Sequence, residues 1–200
     1  MATAKKTVKK AVKKPVKKTV KKQPLFVAPK ELVPGTVDAV LVTALTEVGY
    51  VEGPRENETK YGKEIGGNFH QWCGIFVNWV MKHAKVKMHN TWYTPSGAQG
   101  FKKKKQWFSW KSGQTPQPGD VIYFDFPGDG VDRISHVGIC IKTLKDGSVL
   151  TVEGNTAGTT GDQRNGGMVL VKVRTKSQIV GWGRPNYKLM PIETQVNFKK

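Results

Sequence analysis

The side chain best suited to nucleophilic chemistry in this sequence is the thiol of Cys73, which opens a run with helical periodicity. The residues that define the apolar face of this helix are Ile75, Phe76, Trp79 and Val80. Their spacing leaves the thiol in or near the first turn. Unpaired amide donors and the positive end of the helix dipole favour a thiolate there. The alternative is a packing role, because free cysteines are among the most buried residues in proteins.

A reactive thiol needs a base to take its proton and a third group to orient that base. The sequence favours His136 as the base, because it begins a predicted strand directly after a glycine-rich loop. A histidine there would lie at the rim of the sheet and face a helix terminus packed across it. The other histidines are less suitable: His70 is too close in sequence to Cys73, His83 is on the same helix, and His89 is in a basic loop.

The strand that follows His136 ends in polar residues that can orient the imidazole. Asp146-Gly147 between two apolar runs predicts a hairpin, which would bring Glu153 or Asn155 beside the ring. Either residue would hold the ring in the required tautomer, and a carboxylate would also favour imidazolium. Cys140 lies about 13 Å further along the His136 strand at roughly 3.3 Å per residue. It is therefore too far from a thiol that meets the imidazole to form a disulfide with it, and we interpret it as a core thiol.

The elements that must position these residues are helices in the first half of the chain and strands in the second. Thr36 is a plausible N-cap for a helix that Gly49 would stop, and residues 49–70 are predicted to form a long loop. Short strands separated by turns are predicted over residues 121–126, 136–142, 149–153, 168–174 and 179–182. Helices followed by an antiparallel sheet predict an α+β fold.

Four consecutive lysines precede an aromatic cluster within residues 102–110. Basic residues interleaved with aromatic ones can form a surface for single-stranded nucleic acid or for sugars. The commoner explanation is the end of an amphipathic helix, whose aromatic side chains pack inward while its lysines face water.

The positive charge of the chain is concentrated at its N-terminus. Residues 1–22 supply ten of the 18 net positive charges and contain no acidic residue. The lysines recur with a period of four, at Lys5, Lys6, Lys9, Lys10, Lys13, Lys14, Lys17, Lys18, Lys21 and Lys22. Repulsion between them and a central proline predict a disordered tail. Such a tail would bind nucleic acid, anionic lipid or anionic wall polymers through counterion release, or serve as a solubilising arm.

The rest of the chain divides into a proline-containing linker at 23–35, a domain at 36–187 and an extension at 188–200. One domain of this length can build a substantial core, and two cysteines give no disulfide framework. No run of about 18 apolar residues predicts a membrane span. No apolar stretch behind the N-terminal lysines predicts a secretory signal peptide.

Five short sequence motifs occur along the domain in the same order as in one known family. They are Gln71-Trp72-Cys73 before Phe76-Val77-Asn78-Trp79, Pro116-Gln117-Pro118-Gly119-Asp120-Val121, Ser135-His136-Val137-Gly138-Ile139, Val152-Glu153-Gly154-Asn155-Thr156 and Val180-Gly181-Trp182-Gly183-Arg184-Pro185. Together they resemble the CHAP domain, the cysteine, histidine-dependent amidohydrolase/peptidase. The related NlpC/P60 group shares the order of cysteine and histidine, but the block around Glu153 favours CHAP.

This resemblance implies a papain-like fold, with N-terminal helices packed on an antiparallel sheet or half-barrel, and hydrolysis of amide bonds in bacterial peptidoglycan. Carried over by motif, Cys73 is the nucleophile, His136 the general base and then acid, Glu153 the orienting residue and Asn155 a fourth polar member. Three further residues are assigned to the substrate: Gln71 as an oxyanion donor, and Trp72 and Trp182 as parts of the substrate groove.

Calcium is the metal that the resemblance raises, because some members of the family bind it through closely spaced aspartates. Here Glu56 and Glu58 precede Tyr61-Gly62, and Asp129 and Asp132 form a second acidic pair. Neither cluster offers a complete set of oxygen ligands, so we expect no metal or other cofactor.

The sequence is thus interpreted as that of a phage lysin that cleaves a peptidoglycan amide bond, as an amidase or an endopeptidase. The enzyme would be held in the host cytoplasm before release to the cell wall, or carried in the virion. The tail would replace a separate wall-binding domain. The competing hypothesis is a structural protein that binds nucleic acid or another polyanion and carries a non-catalytic CHAP-like module.

Overall fold

The computed structural model describes residues 26–127, 129–188 and 197–198. The predicted lysine tail lies outside these residues. The helices are α1 Val37–Thr46, α2 Lys60–Ile65, α3 Cys73–His83 and α4 Thr94–Lys103. The strands are β1 Phe26–Val27, β2 Trp107–Phe108, β3 Val121–Phe124, β4 His136–Thr143, β5 Val149–Thr156, β6 Met168–Arg174, β7 Ile179–Gly183 and β8 Asn197–Phe198. None of the helices among the described residues is long and apolar enough to cross a bilayer.

Six of these strands form one antiparallel sheet in the order β2-β7-β3-β4-β5-β6. Strands β4 and β5 form the predicted hairpin, and β6 pairs with the outer side of β5. The four helices therefore precede most strands of an antiparallel sheet, and the predicted α+β fold is confirmed.

The core lies on both faces of this sheet. Val137, Ile139 and Ile141 of β4 belong to the larger apolar cluster, which also contains the buried faces of α1 and α3. Cys140 of the same strand belongs to a second cluster with Ile122, Phe124 and Trp182 among others. Because side chains alternate along a strand, the two clusters occupy opposite faces of the sheet.

The first helix has the predicted start. The Thr36 side chain accepts a hydrogen bond from the amide of Ala39 at 3.2 Å. The helix ends at Thr46, three residues before the predicted stop at Gly49. The thiol helix begins at Cys73, in agreement with the apolar periodicity of the sequence.

Two local predictions were wrong. The loop predicted over 49–70 contains α2, which the Thr59 side chain caps and left-handed Gly66 ends. Its six residues are too short to show a clear helical period. Residues 107–108 form strand β2 instead of a helix end, because Trp107 pairs with Gly183. Strand β1 lies within the predicted linker and pairs with β8 from the C-terminal extension. The division of the chain into linker, domain and extension stays a prediction.

Candidate active site

The thiol of Cys73 lies at the first residue of α3, and the residue is 4% exposed. The preceding Trp72 provides no side-chain hydrogen bond to cap the helix. The first amides of a helix have no partner within it, so the positive end of the helix dipole acts on the thiol. Gln71 is exposed directly before this point.

The start of α3 is held in place by the segment that precedes α4. The Asn78 side chain donates to the carbonyl of His89 at 3.0 Å and accepts from the amide of Thr91 at 2.8 Å. Gly74 lies so close to this segment that a Cβ on it would approach the Thr91 carbonyl oxygen to 2.1 Å. Asn78 and Gly74 therefore fix the helix start, and any larger residue at 74 would displace it.

His136 is the first residue of β4 and is fully buried. Its Nε2 lies 3.1 Å from Oε2 of Glu153, which is also fully buried. Its Nδ1 has no hydrogen-bond partner within the part of the chain that the structure describes. Burial lowers the pKa of His136, but the neighbouring Cys73 and Glu153 side chains outweigh that effect and raise the pKa to about 9. The imidazole thus lies between the Glu153 carboxylate and the Cys73 thiol, and one of its nitrogens contacts the carboxylate.

Glu153 is held by more than the histidine. Arg174 donates to both of its carboxylate oxygens, from Nε at 2.8 Å and from Nη2 at 2.5 Å, and Thr151 donates to Oε1 at 2.6 Å. Burial raises the pKa of Glu153, but the Arg174 and His136 interactions outweigh that effect and lower it to about 2. The residue is therefore a carboxylate throughout the neutral range and stabilises an imidazolium at His136.

A glycine makes room for this carboxylate. A Cβ at Gly138 would lie 2.6 Å from Cγ of Glu153. Phe124 and Phe126 complete the surroundings, each with its ring 5.7 Å from that of His136. The guanidinium of Arg174 lies over the same two phenylalanine rings. These contacts exclude water from the pair and fix the orientation of the imidazole.

Asn155 is buried, but its hydrogen bonds do not run to His136. Its amide donates to Oδ1 of Asn165 at 2.9 Å and of Asn57 at 3.4 Å, and its Oδ1 accepts from the amide of Gly167 at 3.1 Å. The residue has a left-handed backbone with φ of 58°. In this structure Asn155 joins the loop before α2 to the loop before β6, whereas Cys73, His136 and Glu153 come together as predicted.

The two tryptophans assigned to a substrate groove are both fully buried. Trp72 donates from Nε1 to Glu52 at 2.9 Å and packs against Tyr61 and other aromatic rings. Trp182 lies in the second cluster and stacks with Phe108. Their size and motif positions suggested contact with a ligand, but both serve the core, and the groove assignment is corrected for Trp72 and for Trp182.

Two of the acidic residues considered for calcium form ion pairs. Glu58 pairs with Arg55 and Lys63, and Asp129 pairs with Arg164. Among the described residues, no group of three histidine, cysteine or acidic side chains is arranged to hold a metal ion. The expectation of no cofactor remains a prediction.

The comparison with known families assigns this region of the chain to a family. The family model of the CHAP domain matches residues 65–155, which contain the thiol, the imidazole and the carboxylate. This part of the chain is a CHAP domain. CHAP domains are papain-like, and membership indicates a cysteine- and histidine-dependent amidohydrolase that acts on peptidoglycan. No curated protein matches the chain.

Sequence reasoning missed the part of the site that lies beyond the CHAP match. Arg174 ends β6, outside residues 65–155, and it reaches Glu153 because β6 pairs with β5. The signal available in the sequence was an arginine at the end of the strand predicted over 168–174, and no role was assigned to it. Its burial follows from strand order, which the sequence alone did not specify.

Proposed function

We propose that this protein hydrolyses an amide bond of peptidoglycan through a covalent acyl-enzyme on Cys73. The observation that carries this proposal is the buried His136–Glu153 pair. Its remaining imidazole nitrogen has no hydrogen-bond partner among the described residues and lies beside a thiol at an uncapped helix start. A thiol in that position has both a base and a positive electrostatic environment.

The mechanism uses the imidazole twice. The Cys73 thiolate attacks the scissile carbonyl, and the backbone amides of the first turn of α3 stabilise the oxyanion. His136 then protonates the leaving amine, which departs and leaves an acyl-thioester. Water enters, His136 takes a proton from it, and hydroxide attack releases the acid and restores the thiolate. Gln71 is proposed as a further oxyanion donor, since it is exposed one residue before the cap position.

The test is clearing of purified peptidoglycan by wild type and by Cys73→Ala, in a turbidity assay and in a zymogram. We expect wild type to clear and the variant to fail while it retains the wild-type melting temperature. Clearing by the variant would contradict the thiol mechanism. No clearing by a folded wild type would favour the non-catalytic polyanion-binding hypothesis instead.

The bond that is cleaved is proposed to be either the muramoyl–alanine amide or a peptide bond. Mass spectrometry of the digested wall separates the two, because an amidase releases intact stem peptides from the glycan and an endopeptidase does not.

We also propose that the enzyme acts as a phage lysin, either released into the host wall at lysis or carried in the particle. Detection of the chain in purified virions supports the carried form. Its restriction to infected-cell lysates supports the released form. Unchanged lysis timing after loss of the protein would contradict the released form, and unchanged infection by particles that lack it would contradict the carried form.

The lysine tail is proposed to hold the enzyme to anionic wall polymers or membrane. Deletion of residues 1–22 should weaken binding to cell walls at low salt, because each lysine that contacts a polyanion releases a counterion. Equal binding with and without the tail would contradict this proposal.

A further inference from the structure

A groove of about 710 Å³ lies at the far end of the thiol helix from Cys73. Lys85 and Lys87 follow α3, Lys104 follows α4, and Lys188 completes the cationic lining, together with the amides of Gln106 and Asn186. Among the residues that the structure describes, no acidic side chain lines it. The 11 residues of α3 separate it from the thiol by about 15 Å at 1.5 Å per residue. A ligand in this groove would therefore leave the catalytic site open.

The groove continues into a smaller hollow of about 340 Å³, which shares Gln106 and Asn186 with it and adds Lys105 and Arg184. The Gln106 side chain donates to that of Asn186 at 2.6 Å across the boundary. We call these two adjoining hollows the basic groove.

Backbone hydrogen bonds connect the segments that carry the lysines. The amide of Gly35 donates to the carbonyl of Ala84 at 2.7 Å, and the amide of Lys188 donates to the carbonyl of Gly35 at 3.0 Å. The amide of Arg184 donates to the carbonyl of Gln106 at 2.9 Å. The backbone segments that carry the lysines are thus joined to one another and are not independent loops.

Two of the lysines have a backbone conformation that usually belongs to glycine. Lys85 has φ of 60° and Lys105 has φ of 58°, each directly after the end of a helix. Glycine is the favoured residue at such a position, because other residues pay a steric cost in the left-handed region. Lysine occupies this position after both helices nonetheless.

The aromatic rings nearby are already covered, and this argues against nucleic acid as the ligand. Arg184 lies over the ring of Phe108 at 4.7 Å, and Lys102 lies over Trp107 at 5.0 Å. Single-strand binding proteins use open aromatic faces on which bases stack. Compact ammonium groups without stacking surfaces suit phosphates on a polymer that has no bases.

We infer that the basic groove binds a phosphate-linked polyol polymer of the bacterial wall and anchors the folded domain near its substrate. This inference rests on the proposed function, because such polymers accompany peptidoglycan. The groove would act in addition to the lysine tail and would be part of the rigid domain.

The test compares two triple variants of the full chain that lose the same charge. The groove variant is Lys85→Gln, Lys87→Gln and Lys104→Gln; the control is Lys111→Gln, Lys145→Gln and Lys176→Gln, all exposed and outside the groove. Binding to poly(glycerol phosphate) is measured across a series of salt concentrations. The groove variant should lower the slope of log affinity against log salt by about 2 to 3, since each lost contact contributes about 0.7 to 0.9. The control should leave it nearly unchanged.

Equal slopes for the two variants would overturn the inference, since the charge would then act without regard to position. So would a groove variant that loses binding to a single-stranded oligonucleotide and keeps binding to the polymer. Hydrolysis of phosphate-free peptidoglycan by the groove variant at the wild-type rate shows that it is folded. Failure of Cys73-dependent hydrolysis is a separate result, which affects the proposed function and not the polymer binding.

Discussion

The two cysteines of this protein lie in different environments of the same domain. Cys73 begins α3 and is 4% exposed, whereas Cys140 lies within β4 and is fully buried. Both are free thiols. Cys73 interacts with the imidazole of His136. Cys140 packs among apolar side chains of the second cluster, on the opposite face of the sheet from α3.

Burial raises the pKa of the Cys140 thiol well above its ordinary value, and the nearby charge of Asp120 adds to the effect while Arg184 opposes it. Cys140 shares a strand with His136 but lies four residues along it, too far to exchange a proton. The comparison shows that reactivity comes from the end of an element, where unpaired amides and a partner from another element meet. The middle of a strand offers neither.

The largest effect should come from blocking the first thiol. Iodoacetamide added to the native protein should abolish hydrolysis and label Cys73, because a thiolate is the form that reacts. Peptide mapping should find Cys140 unlabelled until the protein is unfolded. Cys73→Ala should lower kcat by at least about 10³-fold, as expected when a member of a catalytic set is removed. Inactivation that accompanies labelling of Cys140 alone would reverse the roles assigned to the two cysteines.

The next effect should come from Glu153→Gln, which keeps the shape of the side chain and removes its charge. A hydrogen bond to a charged group contributes about 1.5 to 3 kcal/mol, so kcat/KM should fall by about 10- to 100-fold. Glu153 is one of the groups that raise the pKa of His136 to about 9. Without the carboxylate this pKa falls, so the alkaline limb of the pH–rate profile should move from near pH 9 to lower pH. An unchanged limb would show that Glu153 does not act on the imidazole.

A smaller effect on activity should come from Arg174→Met, with Arg184→Met as a matched control. Each arginine forms two hydrogen bonds with a buried carboxylate, Glu153 in one case and Asp120 in the other. Removal of either should destabilise the fold by about 3 kcal/mol, because a buried charge loses its partner. Only Arg174→Met should also lower kcat/KM, by about tenfold, which is equivalent to about 1.4 kcal/mol.

The direction of the pH shift separates Arg174 from Glu153. Without Arg174 the carboxylate has fewer donors and interacts more strongly with His136, so the alkaline limb should move to higher pH, opposite to Glu153→Gln. Thermal melts and pH–rate profiles of both arginine variants measure the two effects. A shift of the same size in Arg184→Met would show that the effect is general destabilisation.

The sequence predicted the parts of the site that have a local signal. The apolar period after Cys73 gave the start of α3, and the Asp146-Gly147 turn gave the hairpin that brings Glu153 to His136. The α+β class followed from the order of helical periodicity in the first half of the chain and short predicted strands in the second half. These features depend on residues that are close in sequence, so spacing and turn chemistry were sufficient to predict them.

The remaining features depend on which elements pack together. Glu153 and Asn155 are both polar and lie two residues apart in the chain. Only the folded structure shows that Glu153 contacts His136 whereas Asn155 connects two loops. Trp72 and Trp182 have large aromatic surfaces that suit a groove as well as a core, and burial decides between the two. Arg174 meets Glu153 through the pairing of β5 with β6, a contact between residues 21 positions apart. Tertiary packing determines all of these, and a single sequence does not encode it in a local pattern.

The smallest effect should come from Cys140→Ala. The residue is buried between Ile122, Phe124 and Trp182 in the second cluster, and its thiol takes no part in the chemistry. Loss of the sulfur removes apolar contact about equal to one methylene and leaves a small cavity, so unfolding should become easier by about 1 kcal/mol. Hydrolysis should stay within about twofold of wild type, a difference below ~0.5 kcal/mol. Chemical denaturation and a turbidity assay measure the two quantities.

The contrast with Cys73→Ala is then complete, since one variant loses activity with stability retained and the other loses some stability with activity retained. A tenfold loss of activity in Cys140→Ala, at a temperature where the variant is folded, would contradict this expectation. It would mean that a packing change in the second cluster alters the position of His136 through β4.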